Sequence, residues 1–121
     1  MSINSYKDLK VWQRSMELVE EIYKLTAKMP KSETYGLSIQ MRRAAISIPS
    51  NIAEGYRRQS QGAYHQFLLI ANGSAAELET QLELVKRLPH TFHLDTTKAN
   101  ELLLEVLKML NVLIRKVQGR K

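Results

Sequence analysis

Four long stretches of this chain repeat apolar residues every three or four positions, and prolines and short polar runs stand between them. That period is the signature of amphipathic helices, and it leaves little room for any other fold. In the first stretch, from about Lys7 to Lys28, Leu9, Trp12, Met16, Val19, Tyr23 and Thr26 mark one stripe. Val11, Leu18, Ile22, Leu25 and Met29 mark a second beside it. Ser5, with Asp8 three residues on, is placed as a capping box, and Pro30 ends the run. The second stretch runs from about Glu33 to Arg58 with Ser32 as its cap. Leu37, Met41, Ala44, Ala45, Ile48 and Ile52 keep one phase through Pro49, which predicts a kinked but continuous helix. The third, from about Gln61 to Leu88, is capped by Ser60 and carries Tyr64, Phe67, Leu68, Ala71, Ala75, Leu78, Leu82 and Val85. Its small-residue run Gly73-Ser-Ala-Ala76 predicts close approach of a neighbouring helix. The fourth starts after Asp95 and runs to about Gln118, with Ala99, Leu103, Val106, Leu110, Leu113 and Val117 at heptad spacing. At 1.5 Å rise per residue such helices are about 33–42 Å long. Joined by short loops, they predict an all-α protein, an antiparallel up-and-down four-helix bundle, as one domain over 1–121. The apolar faces of the first and fourth helices are wider than a small bundle needs, which predicts an oligomer interface.

Composition excludes several functions. There is no cysteine, so disulfide scaffolds, thiolate zinc sites and cysteine nucleophiles are ruled out. No apolar run approaches the roughly 18–20 residues needed to cross a bilayer, and the opening Met1-Ser-Ile-Asn-Ser-Tyr-Lys has no signal-peptide core. The expectation is a cytoplasmic protein with no membrane partner. The formal net charge is +6, and the pI is near 9.7. A balance like this favours polyanions such as nucleic acid. The positive excess falls on residues 31–62 and 89–121.

A further group of residues stands out: Tyr35-Gly-Leu37, Gln40-Met-Arg-Arg-Ala-Ala45 and Ser47-Ile-Pro-Ser-Asn-Ile-Ala-Glu-Gly55. With them go Leu9-Lys-Val-Trp12 and Ala75-Ala-Glu-Leu-Glu-Thr-Gln-Leu82. The pattern resembles the small four-helix-bundle family encoded in intervening sequences of bacterial 23S ribosomal RNA genes, over nearly the whole chain. The resemblance implies a left-handed up-and-down bundle that assembles as a homopentamer; it carries no known enzymatic activity, and no cofactor is expected. A related branch serves as the accessory protein of diversity-generating retroelements, which implies a basic barrel binding a reverse transcriptase and nucleic acid. Gly62-Ala63, after the Ser60 cap, and the stretch Pro89 to Asp95 depart from the pattern.

The basic residues Arg57, Arg58, Lys86, Arg87, Lys108, Arg115, Lys116, Arg120 and Lys121 are the candidate nucleic-acid contacts. Arginine suits phosphate because its fork binds two oxygens and keeps its charge. The plainer account is that cations near helix C-termini complement the helix dipole. Arg43, Asn51, Glu54, Glu77 and Gln81 are polar groups on largely apolar helices, and a hydrogen-bond network that fixes helix register is the expected role. Paired carboxylates such as Glu54 and Glu77 could serve acid–base chemistry, but no nucleophile, metal cluster or glycine-rich phosphate loop accompanies them. His90 and His93 have a spacing a metal could use, yet fall in a loop, and no metal site is expected. Trp12 is expected in the core. The chain is therefore expected to be a non-enzymatic oligomer that binds structured RNA or DNA. The alternative is a scaffold that docks another protein, with its charge incidental.

Overall fold

A computed structural model describes residues 4–119 of the chain. Four α-helices make up the architecture: α1 (Lys10–Ala27), α2 (Leu37–Arg57), α3 (Gln61–Arg87) and α4 (Thr97–Gly119), with no strand among the described residues. Each helix packs on its neighbours in a closed cycle, α1 on α2, α2 on α3, α3 on α4 and α4 on α1, which makes a four-helix bundle. The expected heptad of α4 is the buried one: Ala99, Leu103, Val106, Leu110 and Val117 line the core, and Leu113 packs against it. In α2 and α3 the predicted stripes also face inward, with Met41, Ala45, Ile48, Ile52, Leu68, Ala71, Ala75, Leu78, Leu82 and Val85 all fully enclosed. Burying one such large side chain stabilises by about 1.5–3 kcal/mol, so these rows dominate the fold's stability.

The two stripes of α1 separate. Val11, Leu18, Ile22, Leu25 and Met29 are in the core. Leu9, Trp12 and Val19 are half-buried around it, and Met16 and Tyr23 are exposed. Trp12 thus flanks the core, with the Tyr6 ring edge-on at 5.4 Å between centroids. Pro49 lies inside α2 without breaking it, as the unbroken apolar phase predicts.

The helix starts differ from expectation in two places. Ser5 does act as a cap, its Oγ accepting from Lys7 N at 3.1 Å. It caps a single 3-10 turn, Tyr6–Asp8, after which Leu9 is extended and α1 starts at Lys10. Asp8 accepts from Asn4 N at 3.0 Å instead of closing the box on Ser5. At α2 the expected cap Ser32 and the expected first residue Glu33 fall in a separate 3-10 turn, Lys31–Glu33, after Pro30, and the helix itself starts at Leu37. Ser32 therefore caps nothing, and the Glu33 carboxylate reaches forward to accept from Leu37 N at 3.0 Å. The Ser60 cap is as expected, accepting from Ala63 N at 3.2 Å.

The small-residue run of α3 does approach α2, at Ser74, whose Oγ lies 2.7 Å from Ser47 Oγ, but not at Gly73, where an added Cβ would meet nothing within 4 Å. A second close approach is at Gly55 of α2, where an added Cβ would lie 2.7 Å from the Cβ of Phe67 and 3.1 Å from Tyr64 Cδ1. Tyr64 and Phe67 are in the first two turns of α3, directly across the short Arg58–Ser60 turn, so the backbone of α2 runs against α3 there.

Candidate nucleic-acid interface

Hydrogen bonds between helices sort the bundle into two ends. At one end, Gln61 Nε2 at the start of α3 donates to the carbonyl of Val117 near the end of α4 at 2.6 Å. The segment before α1 joins this end, since Ser5, Tyr6 and Lys7 line a concavity with Tyr56, Arg57 and Gln59. At the other end, Arg42 Nε near the start of α2 donates to Thr26 Oγ1 near the end of α1 at 2.7 Å. There too, His90 of the α3–α4 connection meets Glu33 of the α1–α2 connection, Nε2 to Oε2 at 2.6 Å.

This division splits the basic candidates. Arg57, Arg58, Arg115 and Lys116 belong to the first end, and all are exposed. Lys108 lies two turns back along α4, where with Lys10 and Lys116 it rims an apolar groove floored by Leu9, Val11, Met109 and Leu113. Lys86 and Arg87 are at the second end, and they share one carboxylate, Glu83, at 4.0 and 3.5 Å. They are not part of the same surface, because the last turn of α3 lies at the other end of the bundle from the last turns of α2 and α4. Arg120 and Lys121 lie outside the described residues. Two lysines that sequence reasoning passed over, Lys7 and Lys10, join the first end. Their only signal was their place at the start of the first helix.

The charge at this end is sparsely compensated. Arg58 pairs with Glu54 at 3.0 Å and lies over the Phe67 ring at 5.2 Å. Among the described residues, no ion pair engages Lys7, Lys10, Arg57, Lys108, Arg115 or Lys116. Helix dipoles account for cations at the C-terminal ends of α2 and α4. They do not account for Lys10, in the first turn of α1, where the dipole disfavours positive charge and the turn itself carries no acid, nor for Lys7, in the 3-10 turn just before it beside Asp8.

The five residues expected to form a polar network are not brought together. Arg43 and Glu77 are exposed, and Glu54 is exposed with its carboxylate on Arg58. Gln81 is buried, but its Oε1 has no hydrogen-bond partner among the described residues. Only Asn51 takes part in a link between helices. Its Nδ2 donates to Ser47 O at 2.8 Å and Ser47 Oγ at 2.9 Å, and Ser47 Oγ meets Ser74 Oγ of α3 at 2.7 Å. Small hydroxyls thus do what the longer side chains were expected to do, because they fit where α2 and α3 lie close. Between α1 and α4 the link is ionic: Arg14 bridges Glu17 and Glu105. Among the described residues, no group of three or more histidines, cysteines or carboxylates could hold a metal ion, and no helix is long and apolar enough to cross a membrane.

The Glu33 carboxylate is held below its usual value by the His90 hydrogen bond first and the Leu37 amide second. Its folded value lies below the unfolded one. Its contribution to stability is therefore present above the ordinary carboxylate range and is lost as pH falls through the lowered value. Chemical denaturation between about pH 6 and pH 3 is expected to show a shallower acid-side loss for Glu33→Gln than for the parent chain. Parallel curves for the two would contradict this.

A family described as 23S rRNA-intervening sequence protein has a sequence model that matches residues 7–112. No curated protein matches the chain.

Proposed function

The chain belongs to the 23S rRNA-intervening sequence protein family, and on that premise we propose that it is a non-enzymatic, cytoplasmic nucleic-acid-binding protein. It grips the phosphates of a structured RNA with one end of its bundle and works as a homo-oligomer, a pentamer on the family resemblance. The observation that carries the RNA reading is the set of cations without carboxylate partners at the end formed by α1, α2 and α4, with Lys7 and Lys10 among them at a helix start. A lysine at the start of α1 works against the helix dipole, and a bound polyanion would offset that cost. The oligomer is supported by apolar side chains left in water along α1 and α4: Met16, Tyr23, Leu104 and Val112.

A labelled ribosomal RNA hairpin, titrated with the protein from about 50 to 200 mM salt, tests the reading. Phosphate binding weakens with a log–log slope of about −0.9 per contacted phosphate on a duplex. The fourfold variant Arg57→Glu, Arg58→Glu, Arg115→Glu, Lys116→Glu is then expected to flatten the slope by roughly 3–4 and to bind far more weakly at the lowest salt. Absence of hairpin binding by the parent chain at that salt would overturn the RNA reading. The second reading, docking of another protein, is favoured by the lysine-rimmed apolar groove between α1 and α4, and binding there would persist through the salt series.

A further inference from the structure

We propose that the end of the bundle opposite the cationic end holds a second site, for a single unpaired nucleotide, with the base on Tyr35 and the phosphate on Arg42 and Lys31. The proposal goes beyond the phosphate grip above and involves different residues. It starts from Tyr35, in the α1–α2 connection, which is 91% exposed, the highest value of any large apolar side chain described. A tyrosine ring in that position stabilises nothing in the core. Its backbone is nevertheless held, since Thr34 N bonds to Lys31 O at 3.1 Å and Gly36 N to Glu33 O at 3.1 Å. The ring stands beside a concavity of about 400 Å³ lined by Thr26, Met29, Lys31, Ser38 and Arg42, within the range of small-ligand sites.

Arg42 supplies the second, independent observation. It is half-buried, and among the described residues no carboxylate pairs with it. It is fixed in place instead by neutral partners. Its Nε donates to Thr26 Oγ1 at 2.7 Å, and its guanidinium lies 4.3 Å from the centre of the Tyr23 ring. Thr26 is itself set by donating its hydroxyl to Ile22 O at 2.7 Å. A pre-set, partly desolvated guanidinium without a counter-charge is an anion receptor, and its fork geometry favours phosphate. Lys31 adds a second cation on the same rim. An aromatic platform beside a fixed arginine is the combination that single-stranded nucleic acid uses, through base stacking and backbone charge. The nucleotide could come from a single-stranded RNA or be a free mononucleotide, and both share this chemistry.

A short single-stranded RNA carrying 2-aminopurine, AMP, and a blunt RNA duplex are the three probes. Stacking on tyrosine quenches 2-aminopurine, so the parent chain is expected to quench the single strand. Tyr35→Ala is expected to weaken that binding by about 5- to 100-fold, the range for loss of one base–aromatic stack, while Tyr35→Phe keeps it. Arg42→Gln is expected to weaken it as well. Duplex binding is expected to be unaffected by Tyr35→Ala and reduced by the fourfold charge reversal, so failure of one site is distinguishable from failure of the other. Binding of AMP with no gain for the single strand would assign the site to a free nucleotide and support it. The proposal is overturned if the parent chain binds neither single strand nor AMP, or if Tyr35→Ala leaves quenching and affinity unchanged. It is also overturned if Tyr35→Ala changes the particle mass in light scattering with no loss of nucleotide binding, since Tyr35 would then be a contact between copies.

Discussion

Gly55→Ala is expected to destabilise the protein by about 1–3 kcal/mol, the usual range for forcing an extra methyl into a packed interface. The outcome is a contest between two effects of opposite sign. Alanine is favoured over glycine inside a helix by about 1 kcal/mol, and Gly55 is two residues from the end of α2. Against that gain stands a Cβ 2.7 Å from the Cβ of Phe67 and 3.3 Å from the carbonyl oxygen of Tyr64. Neither atom is the loose end of a side chain, so α2 and α3 must move apart. Sterics should win. Gly73→Ala is the matched control. It is also a glycine inside a long helix, exposed and with open space around its missing Cβ, and it should stabilise by up to about 1 kcal/mol. Thermal melts of both variants, read against the parent chain, check the pair. A stabilised Gly55→Ala would mean that the helices do not meet there.

Leu78→Ala should be costlier still, at about 2–5 kcal/mol, because it removes a fully buried side chain from the middle of α3 and leaves a cavity. Leu104→Ala sets the comparison. Leu104 is 54% exposed on α4, so in a lone protomer its truncation should change stability by no more than about 0.5 kcal/mol. In the proposed oligomer the same residue belongs to an apolar face available for contact between copies. Leu104→Ala should then shift the equilibrium toward smaller particles in light scattering at micromolar concentration while leaving the protomer helical. If the parent chain is already monomeric at that concentration, the oligomer is refuted outright.

Much of the helical frame was legible in the sequence because burial and periodicity are coupled. Leu103, Val106 and Leu110 repeat at the spacing that puts them on one side of a helix, and that side becomes the core. Pro49 was readable as an interior proline because Ile48 and Ile52 stay in phase across it. What was not legible depends on which residues meet across helices. The capping role passed from Ser32 to Glu33 because Pro30 starts a separate 3-10 turn, an outcome set by local backbone geometry rather than by side-chain pattern. Gly73 and Gly55 look alike in one dimension; only the packing of α2 on α3 tells them apart. The candidate interface was half legible. Charge counts found Arg57, Arg58, Arg115 and Lys116 but grouped them with Lys86 and Arg87, because position along the chain does not say which end of a bundle a residue reaches. Arg42 stands in the sequence only as part of the Gln40–Ala45 motif, and its hold on Thr26 and Tyr23 links positions 16 residues apart or more, which no local spacing encodes.

The order in which the helices pack also bears on how the chain finds its fold. Three of the four seams join helices that follow one another, so their contacts form after closing only short loops. The seam between α1 and α4 is different, since Arg14 and Glu105 meet across 91 positions. Loop closure costs about 0.6 kcal/mol more for each doubling of length, and contacts close in sequence form fastest. The tight Arg58–Ser60 turn predicts that the α2–α3 hairpin forms first and that the α1–α4 seam closes last. That seam carries the lysine-rimmed groove. The groove therefore lies on the one seam whose two walls come from opposite ends of the chain, so a partner seated there would touch segments that only the finished bundle brings together.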